Sequence, residues 1–472
     1  MQQRDWLLIN GARVPSTGAS VIEVIDSTSE KVLATVPDGT AEDVDRAVAA
    51  AVAAFPAWSQ TSPDARADFL VALAAGLKER SLEAATSISR EVGHPVHLAQ
   101  TSQLTMAIAD LMALAEVTRS YAWQEEIANA LVVREPVGVV AAITPWNFPL
   151  HQISVKVGAA LAAGCTVVLK PSEVAPLTGY IFTEVIESIG LPAGVFNLVS
   201  GTGPIVGEAL AAHPNVDMVS LTGSTRAGRR VMELAAGSIK RVGLELGGKS
   251  AAVLLEGAPI DRAVRHTVDD CFRNSGQVCA GLTRLVVPRS HLPEVERIAA
   301  EQAATYIPGD PDSETTTLGP LASKAQQDRV RGYIEKGVAE GARLVTGGAE
   351  APDGFDLGYY VQPTVFSDVT NTMTIAQEEI FGPVLSILAY DTEDEAVAIA
   401  NDSPYGLGGA VWGRDADQAV QVGRKIRTGR VIINGGAWNP YSPFGGYKQS
   451  GLGREIGRYG IEDFLEVKSL LR

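Results

Sequence analysis

The sequence predicts an α/β protein built from two alternating domains, and three observations carry that prediction. A chain of 472 residues exceeds the size at which one hydrophobic core stops growing. From about residue 138, short β-branched runs alternate with helical stretches, the pattern of a parallel sheet covered on both faces. A second alternating series begins after 250, just past the Gly pair of ELGGK (245–249), which suits a hinge with a ligand cleft where the domains meet.

Each element has its own reason. The opening MQQRDWLLINGARVPS suits an edge strand and turn, and lacks the basic region and apolar stretch of a signal peptide. Residues 41–130 read mainly as helices, because AEDVDRAVAAAVAAF and ARADFLVALAAGLKER space apolar residues three and four apart. Then come the strand VVAAI, a helix over 148–163, the strand TVVLK (166–170), a helix over 176–189 and the strand VFNLVS (195–200). A helix near 204–212, the strand DMVSLTG (217–223), another helix and RVGLEL (241–246) complete the first series. The second holds TRLVV, a helix through 291–306, VLSILAY and RVIIN. No internal repeat or low-complexity tract interrupts either.

Composition narrows the function. A formal charge of -16 and no Lys/Arg block argue against nucleic acid. The longest apolar stretches, around 137–146 and 157–169, fall short of a membrane span. With 46% hydrophobic and 20% charged residues the chain reads as a soluble globular protein. Cys165, Cys271 and Cys279 are too few and too irregular for a disulfide framework, so a reducing, cytoplasmic setting is expected. His94 and His97 form the only close histidine pair and have no Cys nearby; they read as surface or turn residues, and no metal site is expected.

Residues 243–250, GLELGGKS, satisfy the phosphate-loop pattern GxxxxGK[ST]. That loop needs a long helix after it, whose N-terminal amides hold phosphate. Here AAVLLEGAP follows, a short strand-like run ending in a Gly/Pro turn. Glu245 instead stands at a strand end among glycines that admit close backbone or substrate, although alone it reads as a solvated carboxylate. Cys165 and Cys271 suit small buried hydrophobes. Cys279 differs: NSGQVCAG (274–281) places it in a small-residue loop after a helical stretch from 260 to about 274, flanked by Gly276 and Gly281 and open to approach. A thiol there is a good nucleophile for a carbonyl carbon.

These segments resemble the aldehyde dehydrogenase superfamily, in its NAD(P)-dependent, non-acylating form. The resemblance spans nearly the whole chain: PWNFP (145–149), KPSE (170–173), LTGST (221–225), ELGGK (245–249), GQVC (276–279), EEIFGP (378–383) and SPFGGYKQSG (442–451) occur in family order. It implies two Rossmann-like domains and a small β oligomerisation extension: residues 1–123 and 138–247 for NAD binding, 248–447 for catalysis, and 124–137 with 460–472 for assembly as a homodimer or homotetramer. It makes Cys279 the nucleophile, Asn147 the oxyanion donor beside the Cys279 backbone N–H, Glu245 the base of thioester hydrolysis, and Lys156 a residue near the centre. Acylating relatives lack this Glu, so its presence implies release of a free acid from an aldehyde substrate. The resemblance assigns the cofactor, NAD rather than NADP, to Thr144, Trp146, Lys170, Ser172, Glu173, Gly203, Gly223, Ser224, Leu246, Glu379 and Phe381. Glu173 would accept from the ribose hydroxyls and repel a 2'-phosphate; GTGPIVG (201–207) has one residue too many for the usual GxGxxG. Phe148, His151, Val155, Val278, Trp438 and Phe444 are implied to line the substrate tunnel, where Val155 replaces a bulky aromatic of some acetaldehyde-type relatives and leaves room for a larger aldehyde. A P-loop nucleotide hydrolase and a non-catalytic binding protein are the competing classes.

Overall fold

The computed structural model describes residues 2–472; Met1, where the reading of the N-terminal segment starts, lies outside the described residues. An 8-stranded sheet runs in the order Gly451–Leu452, Arg241–Glu245, Met218–Thr222, Val139–Ile143, Thr166–Lys170, Phe196–Leu198, Leu7–Ile9, Ala12–Val14. Its central members, from Arg241–Glu245 through Phe196–Leu198, are all parallel to one another. The hairpin Leu7–Ile9 and Ala12–Val14 closes one edge antiparallel, where an edge strand and turn were expected.

Period-two alternation sorts this sheet's side chains into two cores. In Val139–Ile143, Val140 and Ala142 join the cluster that packs on the helices Pro63–Glu79, Thr105–Ser120 and Pro149–Ala163. Val139, Ala141 and Ile143 face the opposite cluster, with Val44 and Val48 of the helix Ala41–Trp58. Both faces are buried, which is why these strands read as unbroken apolar runs.

The second sheet has 7 strands, in the order Arg343–Thr346, Thr364–Ser367, Val384–Tyr390, Arg284–Pro288, Ala251–Leu254, Gly408–Trp412, Arg430–Ile433. Only the edge strand Arg343–Thr346 runs antiparallel. Ala251 and Val253 serve one of its cores, Ala252 and Leu254 the other. A third, three-stranded sheet of Leu465–Leu471, Ala130–Pro136 and Gln124–Ile127 is antiparallel and largely exposed.

Two expectations need correction. The helical reading of 41–130 overruns, because the last helix ends at Ser120 and Gln124–Ile127 is a strand paired with Ala130–Pro136. The Trp123 indole donates to Thr118 O at 3.1 Å and folds the chain back, and Ala128 takes a positive φ to turn the hairpin. His94 is no surface residue: it is 1% exposed and hydrogen-bonded to Asn274, 180 positions away. Elsewhere the limits shift by a few residues; the helix expected over 291–306 spans Leu292–Ala303. No helix among the described residues is long and apolar enough to cross a membrane.

Candidate active site

In an open parallel sheet, ligands bind beyond the carboxyl ends of strands, where the strand order reverses. Here the chain runs from Val139–Ile143 outward through Thr166–Lys170 to Phe196–Leu198, then returns to the other side as Met218–Thr222 and Arg241–Glu245. Thr144 and Trp146 follow the first of these strands, Lys170 ends the second, and Gly223 and Ser224 follow the strand across the switch. Glu245 ends the last.

The segment 246–250 is the crossing between the sheets. It leaves Glu245 and enters Ala251–Leu254, an interior strand of the second sheet, so the helix a phosphate loop requires is replaced by a strand. The glycines allow close approach on both sides. A Cβ at Gly247 would lie 2.4 Å from the Glu379 carboxylate, and one at Gly248 would lie 2.5 Å from Cys279 O. Glu245 itself is buried, with both carboxylate oxygens unpartnered. Burial, reinforced by the nearby Glu455 carboxylate, holds its proton well above the usual carboxylate range.

Cys279 follows a left-handed turn. Asn274, Ser275 and Gly276 all take positive φ, at 50°, 55° and 74°. For residues with a Cβ this costs roughly 1–2 kcal/mol each, so anchors must hold it. The Ser275 hydroxyl donates to Gly319 O at 2.8 Å, and Gln277 Nε2 donates to Val92 O at 3.2 Å while its Oε1 accepts from Ala322 N at 2.9 Å. A Cβ at Gly276 would meet the Gly382 carbonyl carbon at 2.0 Å. Cys279 is half-buried, whereas Cys165 and Cys271 are buried. Burial and then the Glu379 and Glu245 carboxylates push the Cys279 thiol up to about 12, while the Arg430 guanidinium opposes them.

Asn147 lies on the loop after Val139–Ile143, and its Nδ2 donates to Gln277 O at 2.9 Å, two residues before the thiol. Lys156, on the helix Pro149–Ala163, is buried and donates to Ser220 Oγ at 3.1 Å and to the Glu455 carboxylate. The sequence reading missed Glu455, which no motif marks beyond its place four residues after SPFGGYKQSG. Asp463 belongs to the same cluster, and burial raises its carboxyl to about 6.

On the first sheet's side, Lys170 Nζ donates to Glu173 Oε2 at 3.0 Å, and Glu173 Oε1 accepts from Gly203 N at 3.4 Å. Ser172 is buried and its hydroxyl accepts from Val174 N. Ser224 caps the helix Thr225–Ala235 by accepting from Ala227 N, and Gly223 N donates to Glu245 O at 3.0 Å. Leu246 is buried against Gly228. Glu379 Oε1 accepts from Gly248 N at 3.1 Å, and burial raises its carboxyl to about 7. Phe381 holds a φ of 65°, rare for a bulky residue, and meets the Trp146 ring edge-on at 5.3 Å. These residues fit a dinucleotide: a capped helix N-terminus for phosphate, a Lys–Glu pair for a ribose, and the buried, unpartnered Thr144 hydroxyl beside them.

Of the tunnel candidates, Phe148, Val155 and Val278 are buried. His151 pairs with the buried Asp110, its Nε2 lying 2.7 Å from Oδ2. Phe444 packs under the Arg430 guanidinium at 5.4 Å. Trp438 stands apart on an outer loop, 37% exposed.

A thiol, a carboxylate and a carboxamide at the meeting of two parallel sheets, one of them presenting a phosphate-type helix terminus, make a two-domain α/β architecture of the dehydrogenase kind. The sequence profile of the Aldehyde dehydrogenase family matches residues 14–470, and the chain belongs to that family. It is 48% identical over 464 residues to 3-succinoylsemialdehyde-pyridine dehydrogenase of a Pseudomonas species, covering 98% of this chain and 97% of that one. Among solved structures, an Aldehyde dehydrogenase C mutant from Pseudomonas syringae with NAD+ and octanal superposes with a TM-score of 0.98 at 49% identity, covering 99% and 96% of the two chains. The Mycobacterium tuberculosis aldehyde dehydrogenase with NAD+ gives a TM-score of 0.97 at 43% identity over 100% and 98%.

Proposed function

We propose that this chain oxidises an aldehyde to its carboxylic acid with NAD, through a covalent thioester on Cys279. The observation that carries the reading is the Asn147 amide donating into the Cys279 loop at 2.9 Å, across the cleft from an unpartnered, buried Glu245.

Cys279 gives its proton to solvent and its sulfur adds to the aldehyde carbon; the carbonyl electrons move to oxygen, giving the oxyanion of a thiohemiacetal. Asn147 Nδ2, with the Cys279 backbone N–H, receives the oxyanion. When bound, NAD supplies the acceptor for the hydride that leaves that carbon. The remaining thioester is opened by water, whose proton Glu245 takes, releasing the acid and restoring the thiol. A carboxyl held above its ordinary range suits a base that works near neutrality. Lys156, anchored by Glu455 and Ser220, holds positive charge behind Glu245.

Thr144, Trp146, Ser172, Gly203, Gly223, Ser224 and Leu246 would form the floor for the dinucleotide, with Lys170 and Glu173 at the adenosine ribose and Glu379 and Phe381 at the nicotinamide end. The Glu173 carboxylate disfavours a 2'-phosphate, hence NAD over NADP. Phe148, His151, Val155, Val278 and Phe444 would line the tunnel, with Trp438 at its mouth; the octanal and succinoylsemialdehyde-pyridine named for the relatives agree with a medium or large aldehyde. The exposed sheet of Leu465–Leu471, Ala130–Pro136 and Gln124–Ile127 is the expected contact of a homodimer or homotetramer working in the cytoplasm.

The test is NADH formation across a panel from acetaldehyde to long-chain, aromatic and semialdehyde substrates, with NAD and with NADP. Activity with NAD that rises with aldehyde size is expected. Phosphate release from ATP, or no turnover with any aldehyde, would overturn the reading.

A further inference from the structure

We propose that His94 and Asn274 form a positioning relay that holds the Asn147 main chain and the Gln277 carbonyl, and through them places the Asn147 side-chain amide, so that a histidine outside the catalytic groups governs the acylation step. The proposal rests on the oxyanion role given to Asn147 above.

Hydrogen-bond polarity carries the argument. The Asn147 amide faces Gln277 O at 2.9 Å, and a carbonyl only accepts, so nitrogen must point there. One N–H is thereby used and the other is left for the substrate oxygen. The Asn147 main chain is gripped from behind: its own carbonyl accepts from Asn274 Nδ2 at 2.9 Å and from Gln103 Nε2 at 3.4 Å. Asn274 Nδ2 also faces Gln277 O at 3.4 Å. With two carbonyls before it, the Asn274 amide cannot flip. Its Oδ1 is therefore the atom that meets His94 Nδ1 at 2.8 Å, and His94 must carry its proton on Nδ1.

His94, Gln103, Asn147, Asn274 and Gln277 are all buried. Burial holds the His94 imidazolium down to about 4, so the ring is neutral at working pH and has a single proton to place. Its Nε2 faces the Ser102 hydroxyl at 3.4 Å. Ser102 and Gln103 both lie on the π-helical turn Gln100–Leu104, an irregularity that recurs at functional sites and here aims Gln103 at Asn147. The relay joins three segments distant in sequence: the turn before Val96–Ala99, the Asn147 loop and the left-handed turn before Cys279. Removing the His94 donor leaves Asn274 Oδ1 buried and unpaired, a cost that loosens the Asn274 side chain and with it its grip on the Asn147 carbonyl.

The test compares two reactions of the same thiol. Attack on an aldehyde creates an oxyanion; alkylation by iodoacetamide displaces iodide, forms a C–S bond and creates none. His94→Phe and Asn274→Asp should slow the pre-steady-state NADH burst by about 10- to 100-fold, with alkylation of Cys279 within about twofold of the parent enzyme. His94→Gln, which keeps an N–H donor, should restore most of the burst. His94→Phe combined with Asn147→Ala should be no slower than Asn147→Ala alone, because one acts through the other. An unchanged burst in Asn274→Asp and both His94 variants, a parallel fall in alkylation, or multiplying penalties would overturn the relay. If Asn147→Ala itself leaves the burst unchanged, the oxyanion reading fails and takes the relay with it. If Asn147→Ala is slow while His94→Phe is not, the relay alone fails.

Discussion

Cys279, on the loop before the strand Arg284–Pro288, and Glu245, at the end of a strand of the first sheet, lie close enough for the carboxylate to join burial in raising the thiol's pKa, and their surroundings differ in kind. The thiol follows three positive-φ residues held by hydrogen bonds to Gly319, Val92 and Ala322. The carboxylate ends a regular strand, where neither oxygen has a partner. A nucleophile must meet a carbonyl carbon in one geometry, so its backbone is over-determined. A base must exchange a proton with water, and any fixed hydrogen bond would pin its charge state. On the proposed mechanism, rigidity on one side and electrostatic frustration on the other would serve two successive half-reactions.

The comparison breaks most visibly if the thiol is dispensable. Cys279→Ala should lower turnover by about 10⁴-fold or more, with no NADH burst; residual turnover near the parent rate would place the chemistry elsewhere. Next, Glu245→Gln should retain the burst while steady-state turnover falls by about 10² to 10⁴. Loss of the burst as well would mean that Glu245 serves acylation and that the two lips do not divide the work. Asn147→Ala should cost about 10² to 10³ in burst rate, measured by stopped-flow absorbance.

Two smaller effects sharpen the contrast through pH. As the proposed base, Glu245 would act only when deprotonated, and its raised proton affinity should move the rise in deacylation to higher pH. Glu455→Gln removes the carboxylate that reinforces this shift and frees the Lys156 cation, so the rise should move to lower pH; movement the other way would remove Glu455 from the Glu245 environment. Arg430 opposes the upward push on Cys279. Arg430→Gln should carry the pH profile of Cys279 alkylation to higher pH, by less than Glu455→Gln moves deacylation.

The alternation of helices and strands was legible because period-two and three-to-four spacing are local properties of the chain. The end of the helical layer at Ser120 was less so, since Gln124–Ile127 becomes a strand only by pairing with Ala130–Pro136. At the site, the family motifs led to Cys279, Glu245 and Asn147, and the structure brings Asn147 into the Cys279 loop. The left-handed turn was not legible: Asn and Ser adopt it only because distant groups hold them there. His94 was misread for the same reason, its partner lying 180 residues on. Glu455 escaped because its significance is the charge of Lys156 and Glu245, visible only in three dimensions.

The sheet that ends in Glu245 is begun by strands at residues 7–14 and finished by Gly451–Leu452, which pairs with Leu244 and Glu245 themselves. During synthesis Cys279 and the strand Arg284–Pro288 that follows it emerge long before this last edge does. A nascent or truncated chain that stops short of Leu452 would thus possess its thiol but lack the border that shapes the base. Such a chain would also lack Ile461, Phe464 and Leu465, which are buried in the first sheet's main core, so the residues beyond 450 complete both the border of Glu245 and that core.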